Sequence, residues 1–234
     1  PWRDWMDPGH NYRPEGDADA VFEISDAALR DIEPEIEVLD VLEQLIDKSL
    51  VITDEEDGST RFRMLETIRQ YALQRLEESG QLPETQRRHM GYYLLFVENT
   101  IWAPYAEGKP TISDLPLPKE YSNITAALRT SLQKKEDHTY GCRFIASLFE
   151  YWQYYGMIKR GSRWIEGFQD SIQGIKDPLL RAFVFIMCGW IYQFIFDFEK
   201  TALFFGDALR VSTQHQLSGA RAMALTGLGN MWAL

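Results

Sequence analysis

The sequence predicts a mainly α fold: a small domain holding one β-hairpin, then an array of α-helical hairpins, an α-solenoid. Three observations carry this. Apolar residues recur at helical spacing along most of the chain. One strand–turn–strand pattern interrupts them between residues 49 and 64. From about residue 121 the pattern repeats with a period of 40 residues.

Residues 1–20, PWRDWMDPGHNYRPEGDADA, are rich in Pro, Gly and Asp and show no period, so they read as an irregular arm with Trp2 and Trp5 available for docking. Ser25 and Asp26 are cap residues for a short helix that reaches Ile32, and Pro34 interrupts it. A stronger helix follows from about Ile36, with Val38, Leu39, Leu42, Leu45 and Ile46 on one stripe. SLVITD reads as a strand, EEDGST holds the Asp57-Gly58 hairpin signal, and RFRM is the return strand with Phe62 and Met64 on one face. Apolar residues at 65, 68, 72 and 76 then mark a helix that stops at Ser79-Gly80. Helix, helix, strand, turn, strand, helix is the outline of a winged-helix domain over residues 21–80.

Residues 81–120 form a connection: a helix over 84–103, then APYAEGKPTISDLPLPKE, which holds four of the ten prolines. Residues 121–234 are the helical repeats. Phe149, Gly189 and Gly229 lie 40 apart, as do Trp152, Tyr192 and Trp232; in the partner helices Gly161 matches Thr201, Ile165 matches Phe205, and Phe168 matches Ala208. A single helix pair cannot bury its own apolar face, so neighbours must stack. The third unit breaks off after its first helix, and with no initiator Met this predicts a piece truncated from a longer protein.

Charge is uneven. Residues 1–80 hold 21 acids and 8 bases, net −13, while residues 81–234 hold 14 acids and 16 bases, net +2. Nucleic-acid binders show a basic face because phosphate contacts dominate their affinity, and the first third shows the reverse. The two cysteines, Cys142 and Cys188, suit a reducing cytosol, so a cytoplasmic protein is expected. The longest apolar run, residues 182–196, is short for a membrane span of about 20 residues and reads as a buried helix.

VLDVLEQLIDKSLVITDEEDGSTRFRMLETIRQYALQRLEESG resembles the winged-helix segment of bacterial signal-transduction ATPases of the STAND class, regulators of the AfsR and MalT types. YSNITAALRTSLQKK and FEYWQYYGMIKRGSRWIEGF resemble the tetratricopeptide-like array that follows in such proteins. The most specific stretches are residues 45–51 and 64–72; residues 1–20 do not fit the pattern. The resemblance implies an upstream nucleotide-binding domain of the same protein as a partner, ATP or ADP as the cofactor of that parent, and an effector module elsewhere. No Gly-x-x-x-x-Gly-Lys-Ser/Thr loop occurs here, so no cofactor is expected in this chain.

Many such relatives place a Met-His-Asp triplet at the strand-to-helix junction, its His against bound ADP. The matching residues are Met64, Leu65 and Glu66. Leu65 cannot hydrogen-bond, and Glu66 would repel a phosphate but suits a helix N-terminus. Leu65 and Glu66 therefore stand as a nucleotide-sensor position by resemblance, beside the plainer reading of packing. DNA reading by the helix before the wing meets Glu37, Asp40, Glu43 and Asp47 against Lys48, with Glu55, Glu56 and Asp57 at the wing, so no direct nucleic-acid contact is expected. His10, His89, His138 and His215 lack metal-ligand spacing, and no Gly-x-Ser-x-Gly occurs, so neither a metal site nor catalysis is predicted.

On the repeats, Trp152, Tyr192 and Trp232 read as core. Arg143, Gln153 and Gln193 are the candidates for a groove that takes a peptide, a protein or a small inducer. The sequence therefore predicts a non-catalytic regulatory region with no membrane contact, coupling a ligand on the repeats to an upstream nucleotide-binding domain. The alternative is a free-standing winged-helix DNA-binding transcription factor with a helical ligand domain.

Overall fold

The computed structural model describes residues 35–56, 59–106 and 116–231. The arm at 1–20, the helix expected at 25–32, the Asp57-Gly58 turn, most of the Pro-rich connection and Trp232 lie outside the described residues. The fold is mainly α with one antiparallel hairpin, and contacts divide it into two compact units that part between Arg88 and His89.

The first unit contains α1 (Glu35–Asp47), β1 (Ile52–Glu56), β2 (Ser59–Arg63) and α2 (Glu66–Glu78), and takes in the start of α3 (Leu82–Ala106). α1 ends in a Schellman motif: Leu50 N–H reaches Leu45 O at 2.9 Å and Ser49 N–H reaches Ile46 O at 2.8 Å. Ser49 takes the left-handed position at φ 56°, where glycine is usual. The hairpin pairs Ile52 with Arg63 and closes with Glu56 opposite Ser59. This register puts Asp54 and Arg63 diagonally on one face, where Arg63 Nε donates to Asp54 Oδ2 at 2.5 Å. Val51 alone among the described residues of this unit is fully buried. Ile68, Ala72 and Leu76 form the half-buried stripe of α2, as their spacing predicts.

From His89 onward the second unit is densely packed. α3 turns Met90, Leu94, Val97, Ile101 and Trp102 into the core. Trp102 donates from Nε1 to Ser147 Oγ at 3.0 Å and sets its ring edge-on to Phe183. α4 (Leu117–Gln133) begins four residues ahead of the expected start, because Pro118 fits the first helical turn, where its missing N–H leaves no bond unmade. After a 3₁₀ turn at Lys135–Asp137 come α5 (His138–Tyr154), α6 (Ile158–Ile172), α7 (Pro178–Phe194), α8 (Phe198–Gln214) and α9 (Ser218–Met231).

These five helices begin at 138, 158, 178, 198 and 218, so each start lies 20 residues after the last and a pair occupies 40. Asp177 and Asp197 cap two of them: Asp177 Oδ1 accepts from Leu179 N at 2.9 Å, and Asp197 Oδ1 accepts from Lys200 N at 3.1 Å. Each helix packs on the next, and α5, α7 and α9 also pack on one another in turn.

Phe205 on α8 holds the last three helices together. Its ring is fully buried and lies over two glycines, Gly189 on α7 and Gly227 on α9. A Cβ at Gly189 would sit 2.8 Å from Phe205 Cε1, and one at Gly227 would overlap the ring outright. Trp152 stands the same way against Gly161 in the preceding pair, where a Cβ would approach to 2.5 Å. The aromatics expected in the core, Trp152 and Tyr192, are buried. The apolar run 182–196 needs correction at its end. It is buried to Tyr192 apart from half-buried Trp190, but Phe194 and Phe196 are 44% and 70% exposed, because α7 stops at Phe194 and the chain turns outward. Among the described residues no helix is long and apolar enough to cross a membrane.

This packing sets expectations for stability. Phe205→Ala should cost about 3–5 kcal/mol of unfolding free energy. Gly227→Ala should cost about 1–3 kcal/mol through overpacking. Urea unfolding of the two variants measures both. A loss below about 0.5 kcal/mol in either would remove Phe205 from its central place.

Candidate interaction surfaces

In the first unit, Leu65 is the residue before α2, extended at ψ 144° and 48% exposed. Glu66 opens the helix. Its carboxylate accepts from Arg69 Nη2 at 2.6 Å, Arg69 Nε at 2.8 Å and Gln70 Nε2 at 2.9 Å. The Arg69 guanidinium, with Gln70 assisting, holds the Glu66 carboxyl down to about 2. That carboxylate is engaged by its own helix, on an open surface. Val38, Leu39 and Val41 on α1 are exposed, as are Asp40, Glu43 and Asp47 of the same helix, Phe62 on β2 and Tyr71 on α2. The exposed part of α1 therefore mixes apolar and acidic side chains, with Lys48 just past its end.

In the second unit, Arg143 does not face a groove. It points from α5 to Glu98 on α3 and binds it twice, Nε to Oε1 at 2.8 Å and Nη2 to Oε2 at 2.6 Å, with side chains only 16% and 7% exposed. A buried bidentate pair of this kind is structural, since removing one partner strands the other charge. Gln153 is exposed at the last turn of α5. Gln193, 40 residues later, is half-buried at the last turn of α7 and lines a shallow pocket of about 200 Å³ with Trp190, Phe194 and Phe196.

That pocket sits at a strained turn. α5, α7 and α8 each close with a Schellman motif. Its left-handed position is Gly156 after α5 (φ 65°), Phe196 after α7 (φ 63°) and Gln216 after α8 (φ 55°). A phenylalanine there is disfavoured by clash of Cβ with the following carbonyl. Phe196 also leaves its ring in solvent, touching only Phe198 among the described aromatic rings, at 6.2 Å. Tyr154 and Tyr155 at the turn between α5 and α6, and Phe194, Phe196 and Phe198 at the turn between α7 and α8, are all exposed aromatics. The sequence pattern placed Phe194 and Phe196 in a buried helix and gave Phe198 no role; the dense QFIFDF run was the signal for all three.

Among the described residues no group of His, Cys, Asp or Glu is arranged to hold a metal. Cys142 and Cys188 are buried free thiols, and burial pushes Cys142 up to about 12 and Cys188 well above its usual value, which leaves both unreactive.

Residues 18–77 match the family of the winged helix-turn-helix domain. The chain is also similar to three proteins named as HTH-type transcriptional regulators, one from Mycobacterium bovis and two from Mycobacterium tuberculosis. Each is 49% identical over 67 residues, which is 29% of this chain and 7% of the relative. The chain thus spans a small fraction of the length of these relatives. No solved structure matches it.

The strain at Phe196 is measurable. Phe196→Gly relieves a left-handed cost of about 1–2 kcal/mol against roughly 0.5–1 kcal/mol of added freedom in the unfolded chain. The variant should therefore be about 0.5–1 kcal/mol more stable than the parent by urea unfolding. Destabilisation instead would mean that the Phe196 ring supports the fold.

Proposed function

We propose that this chain is the non-catalytic regulatory part of a bacterial signal-transduction ATPase of the STAND type, acting in transcriptional control. The winged-helix unit serves as an intramolecular docking module for an upstream nucleotide-binding domain. The tetratricopeptide-like helices sense a partner or inducer. Binding on the repeats then shifts the state of the ATP- or ADP-bound domain by favouring one arrangement over another.

One observation carries the docking role. The helix ahead of the hairpin, which enters the major groove in DNA-reading winged helices, presents Asp40, Glu43 and Asp47 to solvent. Next to phosphates these carboxylates would weaken binding, and the exposed Val38, Leu39 and Val41 beside them suit a protein surface better than a groove. The length of the relatives and their names agree with a regulator built of further domains. At the junction, Leu65 supports packing of a docked domain rather than a hydrogen bond to ADP, and Glu66 keeps its carboxylate on its own helix. The reading keeps the protein cytoplasmic.

A second reading has specific support. The family match is to a winged helix-turn-helix domain, a fold that commonly reads DNA, and the relatives are named as transcriptional regulators. In that case the chain itself would be the DNA-binding part.

Fluorescence anisotropy with a labelled 30-base-pair duplex at low salt separates the two. The docking role predicts no binding at micromolar protein. Sub-micromolar binding that weakens steeply with added salt would contradict it and favour the second reading.

A further inference from the structure

The turn edge of the helix pairs has features that folding does not need. At the start of α6, Lys159, Arg160 and Arg163 are all exposed, and none makes an ion pair among the described residues. Cations in the first turns of a helix oppose its dipole, so these bases do nothing for α6 itself. One repeat further on, Trp190, Phe194 and Phe196 wall the 200 Å³ pocket, and Phe196 holds its ring in solvent from a left-handed backbone. The Oε1 atom of Gln193, which lines that pocket, is buried without a hydrogen-bond partner. Both turns make aromatic contacts with α5. Phe194 meets Phe149 on α5 at 5.9 Å, while Tyr151 on α5 meets Tyr155 at 4.7 Å and feels the charge of Arg160.

Each feature asks for something different from an occupant. The pocket is smaller than the 300–1,000 Å³ typical of drug-sized ligands and suits one large apolar side chain. The Gln193 oxygen needs a donor. The three bases need carboxylates or another anion. A lipid surface would offer anions and apolar chains, but its acyl chains carry no donor to meet a buried acceptor at the same depth. A polypeptide offers all three at once.

We propose that this edge docks an acidic protein segment. One apolar side chain of the segment seats between Trp190, Phe194 and Phe196, a main-chain N–H donates to Gln193 Oε1, and flanking carboxylates meet Lys159, Arg160 and Arg163. The proposal rests on the reading of the array as the partner-binding part of the chain, and names the chemistry of that partner. Gln153, at the equivalent position one repeat earlier, is the next polar rung along the same edge.

The test is to pan a random 12-residue peptide library on the full 234-residue chain and measure the affinities of recovered peptides by anisotropy. The expected result is a shared pattern of one aromatic or large aliphatic residue flanked by Asp or Glu. Its affinity should fall at least tenfold with Phe196→Gly and with the Lys159→Glu, Arg160→Glu double variant. Because Phe196→Gly is expected to be the more stable protein, its loss of binding would not be a loss of fold. Recovered peptides that lack the pattern, or that bind both variants as well as the parent, would overturn the edge proposal while leaving the array a partner-binding surface. Recovery of no binding peptide would overturn both. Binding of phosphatidylserine vesicles that is lost in the same variants, with no acidic peptide recovered, would assign the edge to membranes instead and overturn the proposal.

Discussion

The second unit depends on how closely its helices approach. Phe205 fills the space between α7 and α9 only because positions 189 and 227 carry no Cβ. With the ring in place, α7, α8 and α9 are set in register, and the 20-residue spacing of helix starts follows as the length of one helix plus its turn. Trp152 against Gly161 repeats the device one pair earlier. Large aromatics opposed to glycines concentrate burial on a few close contacts. A packed array of this kind also tolerates local strain. The left-handed Phe196 and Gln216 persist because the helices on both sides over-determine the turn.

The first unit is built differently. Val51 is its one fully buried residue among those described, and α2 has none. α2 is supported by pairs along its own surface, Glu66 with Arg69 and Arg75 with Glu78, which are exposed and contribute little each. Apolar residues on α1, β2 and α2 are exposed, and so are the acidic Asp40, Glu43 and Asp47 of α1. Among the described residues, burial is thus concentrated in the second unit.

Much of this was legible in the sequence. The 40-residue period, the hairpin and the α2 stripe each came from periodicity, which depends on which face is buried and little else. Helix ends were harder. Ser79-Gly80 advertised a stop, but Ser49, Phe196 and Gln216 occupy left-handed caps where glycine would have marked the turn, and Phe196 extended an apolar run past the true end of α7. The start of α4 hid behind Pro118, which reads as a loop signal but fits a first turn. Arg143 was legible as a charge on an α5 face, not as the partner of Glu98, since the two are 45 residues apart and on separate helices. Gln193 was chosen for its place in the repeat; the aromatic walls of its pocket depend on the outward turn after α7, which no period encodes.

Native-state hydrogen exchange tests the locking of the helices by Phe205. The core amides of α7 and α8 should share one slowest class, opening together at the free energy of unfolding of the array, while α2 exchanges by local opening at a far lower free energy. Amides of α2 as protected as those of α7, or α7 and α8 opening separately, would contradict an array locked by Phe205 and a first unit that opens on its own.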